Sequence, residues 1–182
     1  IGLGYTLCRT HINSCDFSTG NYAYSETDGD IELKNFSIER DKKSLIPFIK
    51  DAMEAAQRDI KLFASPWSPP GWMKTTGIMN RGGKLKQDMR EVWARYFVKY
   101  IREYEKEGIK IWGLTVQNEP MATQTWDSCI YTAEEERDFV KYFLGPELQR
   151  SGLGGIKLMI WDHNKERVYE RSKVVYSDPE AA

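Results

Sequence analysis

Lys110-Ile111-Trp112-Gly113-Leu114-Thr115-Val116-Gln117-Asn118-Glu119-Pro120 begins as an apolar, partly β-branched run and ends in a polar tetrad. A strand buried in a parallel sheet has this pattern when it delivers side chains to a site at its C-terminal end. Pro120 has no N–H to give to a ladder, so the strand must stop there. The residue before a proline is steered away from right-handed helical dihedrals. Glu119 is therefore expected at the edge between strand and loop, with its carboxylate beside the Asn118 amide. That pairing suits acid–base chemistry. The competing reading is an ion-paired or helix-capping glutamate.

Working outward, the spacing predicts a helix from Met89 to Lys106. Trp93, Tyr96, Phe97, Tyr100, Ile101 and Tyr104 fall on one stripe at helical spacing, a packing face for a sheet. Gly108 is a natural stop. Before it, Ile60 to Ala64 predicts a strand ending in Ser65-Pro66-Trp67-Ser68-Pro69-Pro70-Gly71-Trp72. The prolines and glycine there argue against both helix and ladder, so Trp67 and Trp72 are expected on a stiff loop. A further helix starts after Ser44, its N-cap, with Leu45, Ile46, Ile49, Met53 and Ala56 facing inward. The first strand is expected over Tyr5 to Thr10. Gly2-Leu3-Gly4 runs straight into it with no Met before it, and it leads out into His11-Ile12-Asn13-Ser14-Cys15-Asp16. The polar loop from Ser18 to Asn35 is too long for a plain connector and is expected to line a site.

Downstream, Met121 to Tyr131 forms a loop carrying Trp126. Thr132 and Glu135 have the spacing of a capping box. Its helix carries Phe139, Val140, Phe143 and Leu144, with a kink or restart at Gly145-Pro146. Ile156 to Trp161 predicts a fourth strand, ending in Asp162-His163-Asn164. A last helical piece holds Val174, Val175 and Tyr176. Strand and helix thus alternate four times, which means parallel βαβ units. In such folds ligands bind at the C-terminal ends of the strands. No glycine-rich nucleotide-binding motif is present. Four units make half of an eightfold barrel, and half a barrel leaves two open sheet edges. The expectation is an α/β chain forming one partial TIM (β/α)8 domain over residues 1–182, with no second domain, as a segment of a longer protein.

The 182 residues suffice for one domain with a core. A net charge of −1 and a pI near 6.2 provide no bulk field for nucleic acid or anionic lipid. Aromatic residues make up 13% of the chain, more than the core stripe needs, and suit a ring-shaped ligand such as a carbohydrate. Cys8, Cys15 and Cys129 are too few for a disulfide framework and are expected as buried free thiols, which fits a reducing compartment. No apolar run reaches membrane-spanning length. No signal peptide opens the chain, so the compartment stays open, and a secreted or periplasmic setting fits the full-length protein.

The sequence resembles glycoside hydrolase family 30, the glucosylceramidase-like retaining β-glycosidases, over nearly its whole length. The likeness is carried by Arg9 with Ser14-Cys15-Asp16-Phe17-Ser18, by Ala64-Ser65-Pro66-Trp67-Ser68 with Trp72, and by Trp93-Ala94-Arg95-Tyr96-Phe97-Val98-Lys99. It continues through Asn118-Glu119-Pro120, Cys129, Arg137-Asp138-Phe139, and Lys173-Val174-Val175 with Asp178-Pro179-Glu180-Ala181-Ala182. Asn-Glu-Pro alone recurs in many barrel glycosidases; the set in this order is specific.

The resemblance implies a (β/α)8 barrel, with these strands as its second to fifth. It also implies double-displacement hydrolysis of β-glucosidic bonds in a sphingolipid, a β-glucoside or a β-glucan. By the same likeness Glu119 is the general acid/base. Asn118 would bind the sugar 2-hydroxyl, Asp16 and Trp67 would bind the first glucose, and Arg9 would brace the catalytic carboxylates. Trp126 would lie on the loop that shapes the leaving-group side. The family nucleophile, a Glu on the seventh strand, corresponds to nothing here, so the segment alone is expected to be inactive. Neither metal nor cofactor is called for. The partner is a carbohydrate, and the open edges favour self-association of the segment. Met121-Ala122-Thr123-Gln124-Thr125-Trp126 departs from the vertebrate lysosomal pattern, so ceramide does not carry over with the likeness. Endo-β-1,6-glucanase and β-xylosidase activities of the same family stay open.

Three other readings compete. Asp16 or Asp162 could be the second carboxyl of a self-sufficient inverting pair, which needs about 6.5–9.5 Å of separation. His11, Asp16, Asp162 and His163 could ligate a metal, though none has HxH or HExxH spacing. A non-catalytic carbohydrate-binding fragment would use the tryptophans and Asp16 without chemistry.

Overall fold

The computed structural model describes residues 3–182. Of the run leading into the first strand, Gly2 lies outside the described residues. Four strands form one sheet: β1 (Leu7–Ile12), β2 (Lys61–Pro66), β3 (Ile111–Thr115) and β4 (Lys157–Met159). They lie in chain order and every pair is parallel. A doubly wound sheet would reverse its order partway; a barrel adds each strand beside its predecessor, as here. The helices α1 (Leu45–Ala56), α2 (Arg90–Lys106), α3 (Ala133–Phe139), α4 (Gly145–Arg150) and α5 (Val168–Tyr176) fill the crossovers and the stretch after β4.

Strand bounds follow pairing rather than apolarity. β1 starts at Leu7, paired with Lys61, and not at Tyr5, which is largely exposed. β2 runs through Ser65 and Pro66, two residues into the stretch expected to be barred from the ladder. Pro66 takes the last register position, where its carbonyl accepts from the Asn118 N–H at 2.8 Å and its missing donor is not needed. β4 closes at Met159, short of the expected Trp161.

The α2 stripe is the centre of the core. Trp93, Tyr96, Phe97, Tyr100, Ile101 and Tyr104 are all fully buried. Tyr24, from the loop after β1, stacks on Tyr100 with ring centroids 5.8 Å apart. The buried Asp41 carboxylate accepts hydrogen bonds from the Tyr22, Tyr24 and Tyr104 hydroxyls at 2.6–2.8 Å. That cage fastens the long first loop to α2. Ile46 and Ile49 of α1 are buried, and Ser44 occupies its N-cap without a side-chain bond. Thr132 and Glu135 form the expected capping box.

Between α3 and α4 the helix widens into a π-turn over Val140–Leu144. Pro146 has no N–H, and its ring conflicts with an ordinary helical turn before it, so the extra residue relieves the clash. Gly145 is required there, since a Cβ would sit 2.8 Å from the Val140 carbonyl oxygen. Cys15 and Cys129 are buried free thiols, whereas Cys8 is half-buried, because the outer edge of β1 has no neighbour. Among the described residues no helix is long and apolar enough to cross a membrane.

Candidate active site

The sheet order sets four strand ends side by side, and Arg9 joins them. Its Nε donates to Ser65 Oγ at 2.9 Å, and its Nη2 donates to Asn118 Oδ1 at 2.7 Å and Asp162 Oδ2 at 2.6 Å. The same Asp162 oxygen accepts from Ser65 Oγ and Thr115 Oγ1, both at 2.8 Å. These are charge-assisted bonds in a half-buried row, so each orients its partners more firmly than a bond between neutral groups. The Arg9 guanidinium also lies over the Trp67 indole, 4.6 Å from the ring centroid. Trp67 is buried, and its carbonyl accepts from Gln117 Nε2 at 2.7 Å.

Glu119 sits at the centre of this row. Its N–H donates to the Asp162 carbonyl at 2.8 Å, and Asn118 and Asp162 pair as an isolated parallel bridge. Its φ is 45°, in the left-handed region. The following proline does exclude the right-handed helix, but the residue bends the other way instead of staying extended. Reaching the Asp162 carbonyl requires that bend. Asn13 (φ 63°) and Trp161 (φ 54°) make the same left-handed turn just after β1 and β4. Non-glycine residues in this region cost about 1–3 kcal/mol each and cluster at functional sites. The Glu119 carboxylate is half-buried. It meets the Gln124 amide, Nε2 to Oε2, at 3.5 Å. It takes part in no ion pair among the described residues.

Arg9, Trp67, Asn118 and Glu119 are thus brought together. Arg9 reaches Glu119 only through Asn118 and Asp162. Asp16 is exposed on the turn after β1, and Trp126 is 39% exposed on the loop after β3; both lie outside the hydrogen-bonded row. The imidazoles are engaged locally. His11 Nδ1 is 2.5 Å from the Asn13 carbonyl oxygen, and His163 Nδ1 accepts from the Asn164 N–H at 2.7 Å. Asp162, expected only as a rival carboxyl or metal ligand, is the acceptor on which the row converges. Ser65, Thr115 and Gln124 were not singled out from sequence. The Asn118–Asp162 register is the signal that links them, and it exists only once the sheet is assembled.

Behind the row, two loops are locked together. Lys74 is fully buried, and its Nζ donates to the Met79 carbonyl at 2.8 Å and the Ser128 carbonyl at 2.6 Å. Burial pushes its ammonium down to about 8. Asp127, also buried and pushed up by burial, accepts from Asn21 Nδ2 at 2.5 Å. Asn80 Nδ2 donates to the Thr125 carbonyl at 2.9 Å, and the Arg81 N–H donates to the Gln124 carbonyl at 2.8 Å. The loop that presents Gln124 to Glu119 is therefore pinned from the loops after β1 and β2.

A family model described as the glycosyl hydrolase family 30 TIM-barrel domain matches residues 1–182. The chain is 44% identical over 188 residues to putative glucosylceramidase 3 of Caenorhabditis elegans, a match covering 99% of this chain and 36% of that protein. It is similar to the crystal structure of SrfJ from Salmonella typhimurium, with a TM-score of 0.92 at 44% identity, covering 97% of this chain and 40% of that one. It is also similar to an endo-β1,6-glucanase structure, with a TM-score of 0.86 at 34% identity, covering 99% and 41%. The chain spans less than half the length of each of these relatives. Sheet order, strand-end residues and family match agree, and this chain belongs to glycosyl hydrolase family 30, as part of its TIM-barrel domain.

Proposed function

We propose that the protein containing this chain hydrolyses β-glucosidic bonds with retention of configuration, and that Glu119 is its general acid/base. The observation that carries the reading is the placement of Glu119. Its carboxylate is held at a strand end without a cation, beside an oriented amide. Asn118 Oδ1 accepts from Arg9, so its NH2 group is left to donate to a sugar hydroxyl.

A retaining enzyme needs a second carboxyl about 5–5.5 Å away as nucleophile. Asp162 does not fit that role, because Arg9, Ser65 and Thr115 all bond to one of its oxygens. The nucleophile is assigned to sequence outside this chain. In the first step the nucleophile attacks the anomeric carbon while Glu119 gives its proton to the departing oxygen. In the second, Glu119 takes a proton from the water that cleaves the glycosyl–enzyme ester. Asp16, Trp67 and Trp126 contact substrate in this reading, and neither metal nor cofactor enters. Relatives carrying the names glucosylceramidase and endo-1,6-β-D-glucanase support β-glucosides as the substrate class.

The test uses the full-length protein. Glu119→Gln is expected to lower kcat on a nitrophenyl β-glucoside by about 10²–10⁴-fold. The loss should be smaller with a dinitrophenyl leaving group, which needs no proton, and azide should restore turnover as β-glucosyl azide. Wild-type turnover by the variant would refute the assignment.

A further inference from the structure

We propose that a cleft beside the acid/base loop is a second saccharide subsite, so that the substrate is a β-linked oligo- or polysaccharide rather than a single glucose on a lipid. This rests on the hydrolase reading above and narrows it. The loop after β1 and the loop after β2 enclose a cleft of about 500 Å³, lined by Asn21, Glu26, Asp28, Trp72, Ile78 and Arg81 with their neighbours. That volume is typical of small-molecule sites, about 300–1,000 Å³.

The lining matches a sugar ring, which has an apolar C–H face and a rim of hydroxyls. Trp72 supplies an aromatic wall, and its indole N–H is tied to the Ser25 carbonyl at 3.0 Å, which fixes the ring. Ile78 stays 50% exposed at the opening. Around them stand the Asn21 amide, two carboxylates and one guanidinium, a mixture of acceptors and donors suited to hydroxyls. A lipid chain would instead need a continuous apolar wall.

The cleft is also preformed. A Cβ on Gly71 would come within 2.6 Å of the Gly77 carbonyl oxygen, so the loop packs backbone to backbone there. Lys74 clamps the far side at Met79. Rigid walls reduce the ordering cost of binding. The cleft lies next to the chemistry. Its lining residues Asn80 and Arg81 bond to the Thr125 and Gln124 carbonyls, and the Gln124 amide reaches Glu119. Both loops begin at the candidate site residues Asp16 and Trp67, so the cleft opens on the same end of the sheet.

The full-length protein tests this with two variants. Ala23→Trp fills the cleft, and the double change Glu26→Ala/Asp28→Ala removes exposed acceptors without touching the core. The substrates are a β-1,6-linked glucotetraose and a nitrophenyl β-glucoside. For each variant the ratio of kcat/KM for the tetrasaccharide to that for the monoglucoside should fall about five- to tenfold, the loss of one or two hydrogen bonds. A ratio unchanged in both variants overturns the proposal. Calorimetric titration of the Glu119→Gln protein with the tetrasaccharide reads binding without turnover. Ala23→Trp added to that background should raise Kd by the same factor. An equal Kd, or no binding of the tetrasaccharide before the change, overturns the proposal. A wild-type protein that binds the tetrasaccharide but cleaves neither substrate sinks the hydrolase reading and leaves the subsite standing.

Discussion

Lys74 shows how much one residue contributes to loop geometry. Its ammonium satisfies two carbonyls that would otherwise be buried without donors, and it does so at the cost of desolvation. Because burial holds it at about 8 against the usual 10.5, the native state releases the proton first as pH rises. Between those values the unfolded chain binds more protons, so this group adds stability with increasing pH. The difference in unfolding free energy between wild type and Lys74→Met should therefore grow in favour of wild type from about pH 8 to 10.5. Urea denaturation at three pH values across that window checks it, and a flat or falling difference would contradict the burial argument.

The capping box and helical stripe make α3 and α2 readable residue by residue, but the elements are held together by contacts of another kind. Glu136 on α3 is fully buried, and burial pushes its carboxyl up. It accepts from Arg171 Nη2 of α5 at 2.8 Å and from the Trp161 N–H at 3.0 Å. The Arg171 guanidinium lies 4.9 Å from the Trp161 ring centroid. One ion pair thus fixes the turn after β4 and, with it, the carbonyl of Asp162 that holds Glu119. Arg171→Met strands a buried carboxylate and should cost about 3–5 kcal/mol, while Arg171→Met/Glu136→Leu should recover part of the loss. Chemical denaturation of the single and double variants decides it; equal losses would mean the pair is not coupled.

For the molecule as a whole, the sheet ends in two open edges, β1 and β4. Leu3, Tyr5 and Leu7 are exposed around the first, and Tyr169 and Tyr176 of α5 are exposed on the C-terminal helix. Unpaired edges beside apolar side chains template association. These 182 residues expressed alone should self-associate with rising concentration, as light scattering after gel filtration would show. A monomer that persists to about 100 μM would count against it.

The α/β alternation, the aromatic face of α2, the capping box and the strand-end position of Glu119 were legible because period, cap and proline chemistry are local. The strand bounds were not, since Tyr5 is as apolar as Leu7 and only pairing with Lys61 separates them. Nor was the role of Asp162, which lies 153 residues from Arg9. By itself the sequence determined which residues form strands, which helix face is buried, and which carboxylate stands at a strand end. Those depend on dihedral preference and hydrophobic spacing within a few residues. Tertiary structure alone decided that Arg9, Ser65, Thr115 and Asn118 form one row with Asp162, and that Glu119 bends into it. It also decided that Asn21, Asn80 and Asp127 meet behind a cleft. Hydrogen bonds across more than 40 residues exist only after the sheet register has set its strand ends side by side.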